Sequence, residues 1–347
     1  MHLSQQRSPS FHGAGDSWAL VLAGGEGSRL QSLTTLASGL AVPKQFCSFG
    51  GGPSLLNDAL KRASVIAPPE RACAIVSEHH ARWWQSLPIS VPKQNLIVQP
   101  RNRGTAIGIL LPLLQILHRD PNASLVVLPS DHYVRNEAVL ANSLRTSMSE
   151  VARRSDRIVL LGLTPEDADP ELGYIVPMGD GGPTAREVSQ FIEKPSAASA
   201  NVLIERGGLW NSFIFAAHGK TLLRAFEARC ADVVAELWEI VTSHGGEETR
   251  RRNLAAFYER VPCLDFSRDV LETSLRYLAV SAVPPCGWSD LGTPRRVAET
   301  FTRYASTFRN QAAALVEEGQ GFLDLAAHLF PVQGAFGLRD RPQSKYS

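Results

Sequence analysis

The chain has 347 residues, 44% of them hydrophobic and 20% charged, which is the balance of a globular protein long enough to bury a large core. Lys and Arg number 35 against 34 Asp and Glu, for a formal net charge of +1, so nothing supports a general nucleic-acid or membrane-surface role. Five cysteines (Cys47, Cys73, Cys230, Cys263, Cys286) are scattered and never spaced C-x-x-C. They suggest neither a disulfide framework nor a zinc site, and they suit a reducing cytoplasm.

Residues 1–17 are polar, carry Pro9, Gly13 and Gly15, and hold no apolar core region; they read as a disordered leader rather than a secretory signal. The apolar run Ala19 to Leu22 then reads as a buried strand that breaks into Gly24, Gly25, Glu26, Gly27 and Ser28, with Arg29 behind them. Glycines let a ligand approach the backbone and permit positive φ. Successive N–H groups in such a loop form an anion site, and Arg29 adds a forked charge at its rim. The dinucleotide fingerprint fails because its sixth position is Leu30, and no Gly-Lys-Ser/Thr follows as a P-loop requires. A tight strand-to-helix turn without ligand is the competing reading.

Lys44, in VPKQF, is either a solvated loop charge or a second cation for the same ligand. Residues 54–67 have helical apolar spacing and stop at Pro68-Pro69. A strand over 72–76 and a helical stretch near 80–86 follow. The pair His79-His80 beside Trp83-Trp84 reads as surface and packing. Strand 96–98 ends in QPRNRGTA, a second candidate binding loop or merely a basic turn, before a helix over 104–118. Strand 124–128 ends in Pro129-Ser130-Asp131-His132. Asp131 thus sits where ligands bind in α/β sheets and could hold Mg²⁺, or it caps the next turn. A helix over 137–152 and a strand over 158–162 complete an alternation that argues a doubly wound, largely parallel sheet.

The pattern then changes. Strands are expected over 173–178, 187–195, 207–217 and 278–283, with helices over 197–205, 220–242, 249–260 and 265–274, the last capped by Ser267. Lys194 closes a strand in Glu193-Lys194-Pro195. Asn211, polar among large apolar residues, is a turn amide or a ligand contact. Asp290, in the tight turn CGWSDLGT, could be a second metal carboxylate. Residues 294–347 read as a helical extension with a polar tail and no motif.

LAGGEGSRL, PKQF, QPRNRGTA, LPSDH, FIEKP, LWNSFIF and GWSDLGT occur in this order across residues 18–293. The set resembles the sugar-phosphate nucleotidylyltransferases, most closely their mannose-1-phosphate guanylyltransferase branch. The resemblance implies a Rossmann-like nucleotide-diphospho-sugar transferase domain over 18–293, with a mixed, mostly parallel sheet flanked by helices. It also implies transfer of NMP from an NTP, GTP in that branch, to a sugar 1-phosphate such as mannose 1-phosphate, with release of pyrophosphate. The partners are then two small molecules, with no nucleic acid or membrane, and a homo-oligomer stays open.

Carried over by motif, Gly24, Gly25 and Gly27 line the triphosphate, with Ala23 near the base. Arg29 neutralises the leaving pyrophosphate and Lys44 the triphosphate or the transition state. Gln99 and Gly104 contact the nucleoside, and Gly173, Glu193 and Asn211 the sugar. Lys194 takes the sugar phosphate, and Asp131 and Asp290 hold Mg²⁺. The chain departs from the family at Gln31 and Ser32, at Gln99, in reading RNRGTA, in the shortened Gly173-Tyr174, and at Phe213, where glycine is usual. Two other readings compete: a uridylyl-, thymidylyl- or adenylyltransferase acting on glucose 1-phosphate, and a silent regulatory subunit that senses NDP-sugar.

Overall fold

A computed structural model describes residues 17–303 except 37, 49–52, 180, 181 and 183. Of the leader expected over 1–17, Ser17 instead opens the first strand, paired with Ser124, and the rest lies outside the described residues; of the extension expected over 294–347, Pro294–Arg303 is helical and the rest lies outside them. In chain order the elements are β1 (Ser17–Ala23), α1 (Gln31–Thr34), α2 (Leu55–Ala63), β2 (Ala72–Ser77), α3 (Ala81–Trp84), β3 (Leu96–Gln99), α4 (Gly104–Arg119), β4 (Ser124–Pro129), β5 (Tyr133–Val134) and α5 (Glu137–Arg153). They continue with β6 (Ile158–Leu163), β7 (Tyr174–Pro177), β8 (Arg186–Ile192), α6 (Ala197–Glu205), β9 (Leu209–His218), α7 (Gly219–Thr242), α8 (Glu247–Arg260), β10 (Leu278–Val283), β11 (Trp288–Ser289) and α9 (Pro294–Arg303).

The main sheet runs β3-β2-β1-β4-β9-β6-β10-β8-β7. All its strands share one direction except β8 and β9, so the mixed, mostly parallel sheet expected from the sequence is what forms. β1 shows why it lies at the centre. Ala19, Val21 and Ala23 enter one core with α2, α5 and α9, through Leu56, Leu144 and Phe301. Trp18 and Leu20 enter the other with α4 and α7, through Leu114 and Phe226. Successive strand residues face opposite sides, so a strand apolar on both must be covered on both. Leu20 is 0% exposed, and Leu20→Ala is expected to cost about 2–5 kcal/mol.

Several boundaries differ from expectation. The helix expected to Ala67 ends at Ala63, after a start capped by Ser54, whose hydroxyl accepts from Asn57 N–H at 3.2 Å. The helix expected at 265–274 is a π-helical turn over Phe266–Leu271. Its cap is not Ser267 but Asp265, whose carboxylate accepts from Arg268 N–H at 2.9 Å. The Ser267 hydroxyl is drawn instead toward Asn211 and Glu193. α7 is broken at Cys230, which has φ −147 and ψ 56.

The topology gathers the loops. β1, β3, β4, β6 and β10 all deliver their carboxyl ends to one edge of the sheet. Tyr174, the first residue of β7, pairs with both Ile192 and Trp210, which returns the end of β8 and the start of β9 to the same edge. β5 and β11 pair there as a short ribbon, Tyr133 with Ser289, joining the loop after Asp131 to the loop bearing Asp290. α9 packs Val297 and Phe301 into the same core as β1.

Candidate active site

A cleft of about 310 Å³ opens at this edge, in the range of small-molecule sites. One wall is the glycine loop. Gly24, Gly25, Gly27 and Arg29 line it, and the three glycines differ in what surrounds them. A Cβ on Gly24 would lie 2.4 Å from Gln99 Nε2. Gly27 has φ 61 and would press on Lys44 N at 3.0 Å. A Cβ on Gly25 would meet nothing within 4 Å, so that backbone faces open space. Gln45 clamps the loop from beneath, donating from Nε2 to the Ala23 and Gly25 carbonyls at 3.1 and 2.8 Å. Sequence reasoning passed over Gln45, although it adjoins Lys44 in the same motif. Behind the loop, buried His80 has Nε2 3.2 Å from Glu26 Oε2.

Two residues expected at the ligand stand back from the wall. Ala23 is 1% exposed and faces the core. Lys44 is 5% exposed. Its ammonium donates to the carbonyls of Asp290 and Leu291 at 2.7 and 3.2 Å, and lies 3.0 Å from Asp131 Oδ2. Those three oxygens engage all three N–H donors of an ammonium.

Gln99 and Gly104 line the next stretch with Asn102 and Thr105. Gly104 has φ 86, and a Cβ there would lie 2.1 Å from the Leu264 carbonyl oxygen. Thr105 Oγ accepts from Phe266 N–H at 2.8 Å. The two arginines of this loop serve the fold. Arg103 donates to the Tyr258 and Glu259 carbonyls at 2.6 and 3.0 Å, and Arg101 pairs with Glu259. The basic-turn reading therefore holds for them, while Gln99 and Gly104 face the cleft.

Asp131 and Asp290 line the floor with His132 and Trp288. For Asp131, burial raises the pKa, but Lys44, His132 and hydrogen bonds to the carboxylate together hold it below the usual carboxylate range. Burial pulls His132 down to about 4, leaving a neutral ring whose Nδ1 accepts from Trp288 Nε1–H at 3.1 Å. Asp290 Oδ1 is buried without a hydrogen-bond partner and lies 3.4 Å from Arg296 Nη1. A Cβ on Gly292 would fall 2.2 Å from Asp290 Oδ2, so the turn is shaped around that carboxylate. Two carboxylates beside an anion-type loop fit a hard divalent cation, which takes one or two carboxylates and completes its shell from phosphate and water. Among the described residues, no three His, Cys, Asp or Glu side chains form a closed metal cage.

The opposite wall carries Glu171, Gly173, Glu193, Lys194, Asn211 and Phe213. A Cβ on Gly173 would lie 2.5 Å from Glu193 Oε2. Burial first, then the Asp265 carboxylate, push Glu193 up to about 7. Asn211 is a turn amide that also lines the cleft, with Oδ1 accepting from Phe213 N–H at 3.0 Å. Arg29 reaches over the mouth to Glu171 at 2.8 Å. Among the described residues the non-glycine positions with positive φ are Lys194, Phe213 and Leu291. Two line the cleft and the third follows Asp290. Such backbone costs about 1–3 kcal/mol each and gathers at functional sites.

Arg296, on α9, was invisible as a site residue. It donates to Asp169 Oδ2 from Nε at 2.9 Å and Nη2 at 2.5 Å, faces Asp290, and sits 5.1 Å over the Trp210 ring.

A glycine loop, a buried lysine and two carboxylates at the carboxyl edge of a mostly parallel sheet define a nucleotide-handling α/β protein. The chain belongs to the nucleotidyl transferase family, whose model matches residues 18–307. It is 28% identical over 287 residues to xanthan biosynthesis protein XanB of Xanthomonas campestris pv. campestris (strain B100), covering 80% of this chain and 58% of that protein. It is 26% identical over 325 residues to a mannose-1-phosphate guanylyltransferase of Sinorhizobium fredii (strain NBRC 101917 / NGR234), covering 92% of this chain and 62% of the relative. The chain thus spans about three-fifths of the length of these relatives. A solved structure described as mannose-1-phosphate geranyltransferase, from Thermus thermophilus, superposes with a TM-score of 0.70 at 27% identity, covering 83% of this chain and 79% of that one.

Proposed function

We propose that the chain is a sugar-1-phosphate nucleotidylyltransferase that transfers NMP from an NTP to a sugar 1-phosphate, with GTP and mannose 1-phosphate as its pair. The observation that carries this reading is one cleft with an anion-type glycine loop on one wall, Glu193 and Asn211 on the other, and Asp131 and Asp290 between them. In the reaction an oxygen of the sugar phosphate bonds to the α-phosphorus. The bond from that phosphorus to the bridging oxygen of the β-phosphate breaks, and pyrophosphate leaves with the electron pair. The nucleophile is already an oxyanion, so no general base is needed, and positioning and charge neutralisation do the work.

In this reading the N–H groups of Gly24, Gly25 and Gly27 cradle the triphosphate, in a loop that Gln45 keeps open. Arg29 leaves Glu171 for the departing pyrophosphate. Lys44 sets the charge beneath the reacting phosphates and fixes Asp131 against the Asp290 turn. Gln99 and Gly104 bound the nucleoside, Gly173, Glu193 and Asn211 the sugar, and Lys194 its phosphate. Asp131 and Asp290 would hold Mg²⁺, which supplies charge neutralisation between the two substrates. The five cysteines are free thiols, which supports a reducing, cytoplasmic place. No helix among the described residues is long and apolar enough to cross a membrane. The partners are the two small substrates.

A pyrophosphate-release screen over the nucleoside triphosphates and several hexose 1-phosphates tests the reading. GTP with mannose 1-phosphate is expected to give the highest kcat/KM. Absence of release with every pair in Mg²⁺ would overturn it.

A further inference from the structure

Phe213 is a large apolar residue on the cleft wall that also carries the polar Glu193 and Asn211. Its backbone sits at φ 58, a conformation that L side chains avoid and that persists only when the surroundings enforce it. The enforcement is visible. Asn211 Oδ1 accepts the Phe213 N–H at 3.0 Å. Ser212 Oγ accepts the Ile214 N–H at 3.2 Å and donates to the Leu161 carbonyl at 2.6 Å. Both lie where the β6–β9 register shifts between Leu160 and Gly162, so the irregularity turns one side chain out of the strand's alternation. The ring stands edge-on to Phe266 at 6.0 Å, and Phe266 stacks on Phe215 at 5.1 Å. The aromatic wall is therefore shouldered from behind and fixed.

We infer that Phe213 is a specificity-determining residue for the hexose of the sugar 1-phosphate, an inference that rests on the transfer reading above. The acceptor side of the cleft carries the polar Glu193 and Asn211 beside the aromatic Phe213, whose ring packs edge-on to Phe266. An aromatic face accepts the C–H side of a hexose ring and offers nothing to a hydroxyl. An epimer that turns a hydroxyl onto the ring leaves that hydroxyl desolvated and unpaired, a loss worth about ten- to hundredfold in binding. Rejection by an apolar wall thus complements selection by the polar one.

The test compares wild type, Phe213→Gly, Phe213→Asn and Phe213→Tyr for kcat/KM with mannose 1-phosphate and glucose 1-phosphate at saturating GTP. Asn tolerates the left-handed backbone, so it removes the ring should the glycine variant not fold. The wild type and Phe213→Tyr are expected to prefer one hexose. Phe213→Gly and Phe213→Asn should lose that preference by about tenfold or more, through KM for the hexose phosphate, with KM for GTP within about twofold of wild type. Equal use of both hexoses by the wild type, or an unchanged preference after the ring is removed, overturns the inference while leaving the transfer reading standing. No turnover by the wild type with any substrate pair overturns the transfer reading itself. Calorimetric affinities for the two hexose phosphates then decide the role of Phe213 by the same ratio, and binding of neither overturns it.

Discussion

Lys44 Nζ lies 3.0 Å from Asp131 Oδ2, with the lysine side chain 6% exposed and the aspartate 36%. The same ammonium donates to the Asp290 carbonyl at 2.7 Å, so one buried cation ties the loop after β4 to the turn after β11. Lys44→Met is expected to strand Asp131 and loosen the Asp290 turn. The loss in kcat should be about 10²–10³-fold, as for removal of one preorganised charge-stabilising group. Lys44→Arg should not restore it, because a planar fork cannot meet three oxygens that a compact ammonium reaches. Steady-state kinetics on the three proteins check this.

Acid stability follows from the same pair. The folded Asp131 pKa lies below its ordinary value of 3.8. Its stabilising contribution is therefore present above 3.8 and is lost as pH falls through the folded value. Wild-type Tm should drop more steeply than that of Asp131→Asn below about pH 4, by thermal melts in acid buffers.

Glu193 predicts the opposite slope. Its pKa rises from 4.5 to about 7 in the folded protein. Between those values the folded state binds more protons than the unfolded chain, so stability declines as pH rises from 4.5 to about 7 and then levels. Glu193→Gln should flatten that decline. It should also remove an inflection near pH 7 from the pH profile of kcat/KM for the sugar 1-phosphate.

Two glycines separate folding from binding. Gly104→Ala must drive a Cβ to within 2.1 Å of the Leu264 carbonyl at φ 86, and should cost about 2 kcal/mol or more. Gly25→Ala meets no atom within 4 Å, so its stability should stay within about 0.5 kcal/mol of wild type. If the triphosphate approaches that backbone, affinity for the NTP should fall about tenfold or more. Differential scanning calorimetry and nucleotide titration of both variants decide it.

Arg296 links the last described helix to the site. Arg296→Met removes two bonds to Asp169 and the cation beside Asp290. It should lower both Tm and kcat, and Arg296→Lys should recover little, since a point charge cannot replace a fork stacked on Trp210. A variant with wild-type kcat would show that the Asp290 turn holds itself.

Local signals carried much of this. The apolar run of β1, the glycines behind it and Asp131 at the end of β4 were legible because period, glycine chemistry and strand ends are written in neighbouring residues. What neighbouring residues do not encode is which polar group turns inward. Lys44 reads as a solvated loop charge or a ligand cation, and nothing beside it in the sequence points to the three protein oxygens around it. Ser267 reads as a cap until Asp265, two residues earlier, takes the turn. The meeting of Glu193 with Asn211 depends on Tyr174 pairing with two strands at once, and Arg296 matters only because α9 folds back over Asp290.

The most direct test of the central claim is product analysis. Incubation with GTP, mannose 1-phosphate and Mg²⁺ should yield GDP-mannose and pyrophosphate in equal amounts, and Asp290→Asn should lose most of that turnover while melting as the wild type does. Tight GDP-mannose binding by the wild-type chain, with neither product formed from GTP or any other nucleoside triphosphate, would contradict the account.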